Sequence, residues 1–167
     1  MGQFIIITAS NQENLKLAKK VADRVLSKGH IVEIVDILDL KWPLFNPTQD
    51  TQELQKREIE EQILKLQRSN ASIWIAPEYN GGLPPAWSNF LAWISKSGDD
   101  FRAAFNGKVG AIMSFSGSGT NVLQFMRLQL AYLGMSILGR QILANYSKPA
   151  KEESIDAILE ELIAKST

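Results

Sequence analysis

The sequence predicts a doubly wound α/β domain, a single parallel sheet of five strands with helices on both faces. Three observations carry that expectation. Short, nearly continuous apolar runs alternate with longer amphipathic ones from end to end, the pattern of parallel strands buried on both faces and joined by crossover helices. The 167 residues suffice for one domain with a full core, spanning 1–167, and are too few for two ordinary ones. Apolar content of 45% and charged content of 22% are those of a soluble globular chain.

The elements follow in order. Residues 3–8 (QFIIIT) form the first buried strand. Ser10 or Asn11 caps a helix over about 12–27, whose Leu15, Ala18, Val21, Ala22 and Val25 keep helical spacing until Gly29. A second strand occupies 31–36 (IVEIVD), and 39–50, with two prolines, is an irregular connection. A charged helix over roughly 51–68 presents Leu54, Ile59, Ile63 and Leu66. The third strand is 72–76; a polar loop and Pro84-Pro85 then open a helix near 85–97, proline being harmless where its missing N–H has no partner. Residues 99–107 are a loop anchored by Phe101 and Phe105. The fourth strand is 108–115, its helix about 120–133 before Gly134, the fifth strand lies in 136–143 and a closing helix in 151–165. Glu152 and Glu153 in the first turn of that helix suit its dipole.

Composition narrows the chemistry. Net charge is zero, with 18 basic and 18 acidic side chains, so no basic footprint for nucleic acid exists. The absence of cysteine excludes disulfides, thiolate catalysis and thiolate metal sites, and one histidine, His30, excludes histidine-based zinc motifs. A serine hydrolase is disfavoured, because a nucleophilic serine needs a positioned base and His30 precedes the second strand. His30 is expected in a turn or on the solvent side. The acidic pairs Asp99-Asp100, Glu152-Glu153 and Glu160-Glu161 are expected on solvated faces. No apolar run approaches the ~20 residues that span a bilayer, and residues 1–7 show no basic region or cleavage site. A cytoplasmic protein with no membrane partner is the expectation.

Five strands in the order 2-1-3-4-5 reverse direction of travel between the first and third strands, and ligands sit outside the carboxyl ends at that switch point. Three loops meet there: 8–14 (TASNQEN), 77–83 (PEYNGGL) and 114–120 (SFSGSGT). The first opens a helix amino terminus, which favours an anion, with Thr8, Ser10, Asn11 and Asn14 as neutral donors; Glu13 opposes that unless its carboxylate turns away. It lacks the glycine fingerprints of dinucleotide and Walker loops. The second loop joins an aromatic ring (Tyr79), an amide (Asn80) and two glycines (Gly81, Gly82), a set that suits a flat heteroaromatic ligand. The third, Ser116-Gly117-Ser118-Gly119, bends tightly and offers main-chain amides.

Pro77-Glu78-Tyr79-Asn80-Gly81, continuing through Leu83-Pro84 to Trp87, Asn89 and Trp93, resembles the signature of the NADPH-dependent FMN reductase family. The likeness extends through Ser116–Gly119 to Met126-Arg127 and Leu133-Gly134, and so covers nearly the whole chain. It implies a flavodoxin-like fold, non-covalent FMN, NADPH or NADH as donor, a small-molecule electron acceptor such as FMN, a quinone or an azo compound, and a homodimer or homotetramer. It also implies that Pro77, Glu78 (through its main chain), Tyr79 and Asn80, with Gly81, line the isoalloxazine ring, and that Ser116 and Gly117 approach its pyrimidine side. The first loop departs from the family's G-S-x-R-x-x-S-x-N: it is shorter, has no arginine, and carries over only Asn14 and, loosely, Ser10. If flavin carries the chemistry, no side-chain acid or base is needed.

Two other readings of the fold are an FMN electron carrier without nicotinamide activity and a flavin-free binding module; reduction by NADPH and flavin content separate them. The helix near 85–97 is apolar over more than one stripe (Trp87, Phe90, Leu91, Trp93, Ile94), which suggests a contact with a second copy. Trp42 and Phe45 are expected to cover the core or that neighbour.

Overall fold

The computed structural model describes residues 1–48, 53–96, 100, 102–117 and 120–166. Phe101, Asp99, Ser118 and Gly119 lie outside the described residues. The elements run β1 (Gln3–Thr8), α1 (Glu13–Ser27), β2 (Ile31–Asp36), α2 (Glu53–Arg68), β3 (Ala71–Ile75), α3 (Pro85–Lys96), β4 (Val109–Phe115), α4 (Asn121–Tyr132), β5 (Ser136–Ile137), β6 (Ile142–Ala144) and α5 (Glu152–Lys165). All pairings are parallel, in the order β2-β1-β3-β4-β5, and β6 also pairs with β4. The expected flavodoxin-like order is present, with one refinement. The fifth strand is interrupted: its offset from β4 is 27 residues at Val109↔Ser136 and 29 at Met113↔Ile142. Two extra residues around Gly139 and Arg140 are therefore looped out before pairing resumes.

Side chains alternate between the two faces of the sheet, as the period of two requires. Ile5, Ile7, Trp74 and Ile112 point into one core with Ile59 and Leu66 of α2, Trp87 and Trp93 of α3 and Val122 and Leu130 of α4. Phe4, Ile6, Ile73, Ile75 and Met113 point into the other with Leu17, Val21 and Val25 of α1 and Ile155, Ile158 and Leu162 of α5. Each such buried aliphatic side chain contributes about 1.5–3 kcal/mol before entropy is counted. On the second face, Arg24 reaches the Asp156 carboxylate through two nitrogens and Lys28 reaches Glu160, which aligns α1 with α5. The Glu152, Glu153 and Glu160 carboxylates are solvated as expected, and so is Asp100.

The apolar breadth of α3 is accounted for within one chain. Trp87, Phe90, Trp93 and Ile94 are all buried in the first core. Trp42 stacks on Phe90 at 5.5 Å and Phe45 meets Trp93 edge-on at 5.1 Å. Asn89 Oδ1 accepts the Phe45 N–H at 2.7 Å, while Asn89 Nδ2 and Trp93 Nε1 both donate to the Pro43 carbonyl. These bonds fasten the irregular β2–α2 connection to α3 and satisfy main-chain groups that no ladder reaches. His30 takes the turn position expected of it, its Nδ1 accepting the Gly2 N–H at 3.0 Å and its ring edge-on to Phe4.

Candidate functional site

The carboxyl ends of β1, β3 and β4 open into one crevice. Its cavity of about 370 Å³ is lined by Ser10, Gln12, Glu13, Asn14, Pro77, Glu78, Tyr79, Phe115, Ser116 and Gly117. Seven of the nine residues singled out from the sequence thus line one cavity: Ser10, Asn14, Pro77, Glu78, Tyr79, Ser116 and Gly117. Asn80 and Gly81 do not line it. Gln12 and Phe115 were missed, though Phe115, as the last residue of β4, stands where the strand-end rule directs attention.

The first wall is the β1–α1 loop. The Thr8 hydroxyl donates to the Ser10 carbonyl at 3.2 Å, and Ser10 Oγ accepts the Gln12 N–H at 3.3 Å. Neither Ser10 nor Asn11 is the N-cap. That position is Gln12, which makes no side-chain cap bond. Asn14, expected as a donor to a ligand, is otherwise engaged. Its Nδ2 donates to the Phe115 carbonyl at 3.0 Å and its Oδ1 accepts the Phe115 N–H at 2.8 Å. The amide therefore latches the start of α1 to the end of β4, 101 residues away, and is only 3% exposed. Glu13 stands in the first turn and meets Lys16 Nζ at 2.6 Å. Beside this loop, burial raises the Asp36 carboxyl above the usual range, opposed by the Leu38 N–H that it accepts.

The second wall is a hairpin that the sequence reading treated as a loop. Tyr79 N–H donates to the Gly82 carbonyl at 3.1 Å and Gly82 N–H to that of Tyr79 at 2.9 Å. Between them Asn80 (φ +52) and Gly81 (φ +76) are both left-handed. That is the signature of a type I′ turn, for which Asn-Gly is the preferred pair. The Asn-Gly dipeptide was the available signal. The turn uses the Gly82 amide internally and leaves the Asn80 and Gly81 amides at its tip, while the Tyr79 side chain stands half exposed at the mouth of the crevice. The hairpin's base is fixed by the Ser114 hydroxyl, which donates to the Ala76 carbonyl at 2.7 Å.

The third wall begins at Ser116, whose N–H donates to the Ala144 carbonyl of β6 at 2.9 Å. Phe115 packs edge-on against Tyr146 at 5.0 Å. The resumed ladder after the break in the fifth strand thus supports the β4 loop. Among the described residues no helix is long and apolar enough to cross a membrane, and no group of three His, Cys, Asp or Glu residues could hold a metal ion.

A larger, apolar groove of about 510 Å³ lies between α3 and α4, lined in part by Leu91, Ala92, Leu128 and Tyr132. It shares no lining residue with the crevice, and its polar side chains are limited to Ser88, Ser95, Gln129 and the Tyr132 phenol. The mixed polar crevice at the switch point is the better candidate for binding, despite being smaller.

Several solved structures similar to this chain are described as flavoenzymes or flavodoxins. A flavoenzyme NAD(P)H:(acceptor) oxidoreductase, FerB, from Paracoccus denitrificans superposes with a TM-score of 0.74 at 15% identity, over 99% of this chain and 96% of that one. The apo form of an NADH:FMN oxidoreductase, EmoB, gives 0.71 at 16% identity, over 99% and 89%. A flavodoxin from the domain Archaea gives 0.65 at 13% identity, over 98% and 96%. At such identities these likenesses establish the fold. No curated protein sequence matches the chain. The sequence profile of NADPH-dependent FMN reductases matches residues 3–148, from the first strand to just before the last helix. The chain belongs to the NADPH-dependent FMN reductase family.

Proposed function

We propose that this protein is a flavin-dependent NAD(P)H oxidoreductase with FMN in the switch-point crevice, passing electrons to a small-molecule acceptor such as free FMN, a quinone or an azo compound. The observation that carries the reading is the convergence of Pro77–Tyr79, Ser116–Gly117 and the α1 amino terminus on one crevice, in a chain of this family. The ring end fits a flavin. A phenol half exposed at the mouth offers an aromatic face, and two turn-tip amides and a glycine-bearing loop let the main chain approach closely. Bound flavin would supply two-electron exchange with a nicotinamide.

The protein's own part is to orient and exclude. Tyr79 would cover the ring and Ser116 and Gly117 would lie against its pyrimidine side, while the Asn80 and Gly81 amides, which do not line the cavity, would meet only a ring edge that projects beyond it. No side chain is asked to move a proton. Incubated with FMN and desalted, the protein is expected to stay yellow, and anaerobic NADPH or NADH is expected to bleach it. Protein that takes up no flavin would sink the reading; flavin uptake without bleaching by either donor would turn it into an electron carrier.

The protein is further proposed to form a homodimer. In the groove between α3 and α4, Leu128 is 68% and Tyr132 72% exposed, with Phe125 nearby at 45%. A monomer seldom leaves such an apolar strip uncovered. Sedimentation at micromolar concentration is expected to give a dimer, and Leu128→Glu a monomer with an unchanged far-ultraviolet spectrum. A wild-type monomer at that concentration would refute the assembly and leave the flavin site untouched.

A further inference from the structure

The three crevice loops, 8–14, 77–83 and 114–120, contain two charged side chains, Glu13 and Glu78, and both are acidic. Both line the cavity. Glu13 belongs to the loop that leads into the α1 amino terminus, which is the end of the crevice a terminal phosphate would occupy. We infer that this crevice grips a flavin by its ring and selects against the terminal phosphate through Glu13, so that it takes neutral, riboflavin-type flavins at least as well as FMN.

The inference rests on the flavin reading above and sharpens it. A helix amino terminus normally welcomes an anion through its free N–H groups. Here the first of those, on Gln12, is already donated to Ser10 Oγ. The Asn14 side chain is committed to Phe115 through both its polar atoms. A cation of the first turn, Lys16, is paired with Glu13 and 73% exposed. The Glu13 carboxylate is 28% exposed, on the wall rather than out in bulk water. A phosphate monoester carrying a charge of about −1.5 to −2 would enter next to that carboxylate. Lys16 cancels only part of the repulsion, because it lies on the solvent side. At separations of several ångströms near a protein surface, removing or adding one unit charge shifts affinity by about tenfold. A flavin without phosphate avoids this cost and keeps every contact at the ring.

The test is titration of flavin-free protein with riboflavin and with FMN, followed by quenching of flavin fluorescence. Riboflavin is expected to bind as tightly as FMN or more tightly. Added salt should strengthen FMN binding and leave riboflavin unchanged, since screening relieves repulsion. Glu13→Gln, isosteric and at the surface of the first turn, should tighten FMN about tenfold and leave riboflavin where it was. Wild-type protein that binds FMN ten times more tightly than riboflavin would overturn the selectivity and leave the flavin reading standing. An unchanged ratio in Glu13→Gln would remove Glu13 from it. Failure of both flavins to bind would remove the selectivity and the proposed function together.

Discussion

Trp74→Ala is expected to destabilise the protein by about 3–5 kcal/mol, the range for removing a fully buried large aromatic side chain. Trp74 lies in β3 with no exposed surface and contacts the rings of Trp87, at 5.4 Å, and Phe105, at 6.1 Å. It is therefore the common neighbour of α3 and the loop before β4. The cavity left behind could not collapse, because β3 is held by ladders on both sides. Its indole N–H donates to Ser72 Oγ at 2.8 Å, within the same strand. Ser72→Ala is the control: it keeps the ring and leaves a buried donor unpaired, at about 1–3 kcal/mol. Chemical denaturation of both variants separates packing from hydrogen bonding. A Trp74→Ala loss no larger than that of Ser72→Ala would mean that the ring is not the keystone of this face.

Asn14→Ala is expected to cost about 2–4 kcal/mol, since it leaves both the N–H and the carbonyl of Phe115 without their partner at a buried position. In a domain of this size that lowers the melting temperature by roughly 5–15 °C. The effect on binding should exceed the effect on stability in one respect. Asn14 joins the first crevice wall to the third, so its loss lets the α1 amino terminus and the β4 loop separate. Flavin affinity should fall for riboflavin and FMN alike, in contrast to the phosphate-specific response at Glu13. Asn14→Asp sharpens the test, because a carboxylate can still accept from the Phe115 N–H but then opposes the Phe115 carbonyl. That variant should regain part of its stability on acidification, as protonation restores a donor. Calorimetry across the acid range checks this, and a pH-independent deficit would count against the latch.

The strand order and the location of the crevice were legible because they depend on local pattern and on a topological rule. QFIIIT, ASIWI and VGAIMSF are apolar without interruption, as strands covered on both faces must be. What escaped was whatever depends on distant partners. The pair of hydrogen bonds between Asn14 and Phe115 links residues 101 apart, and no local pattern marks it. The sequence of Asn14 suits a ligand donor equally well. The breadth of α3 suggested a second copy of the chain, and Trp42 and Phe45 were open to either the core or that neighbour; their contacts with Phe90 and Trp93 lie within the chain and have no local signature. The break in the fifth strand was hidden for a similar reason: 136–143 reads as one run, and only the pairing offset with β4 reveals the two excess residues. The hairpin at Asn80-Gly81 was different. Its signal was plainly present and was spent on ligand binding instead of turn geometry.

The Tyr79–Gly82 hairpin has an evolutionary consequence. Its shape is dictated by two backbone-to-backbone bonds and two left-handed residues, so neighbouring side chains are free to drift while the platform persists. A surface shaped by peptide groups places few demands on the side chains around it, so most substitutions flanking Asn80 and Gly81 should leave its course unchanged.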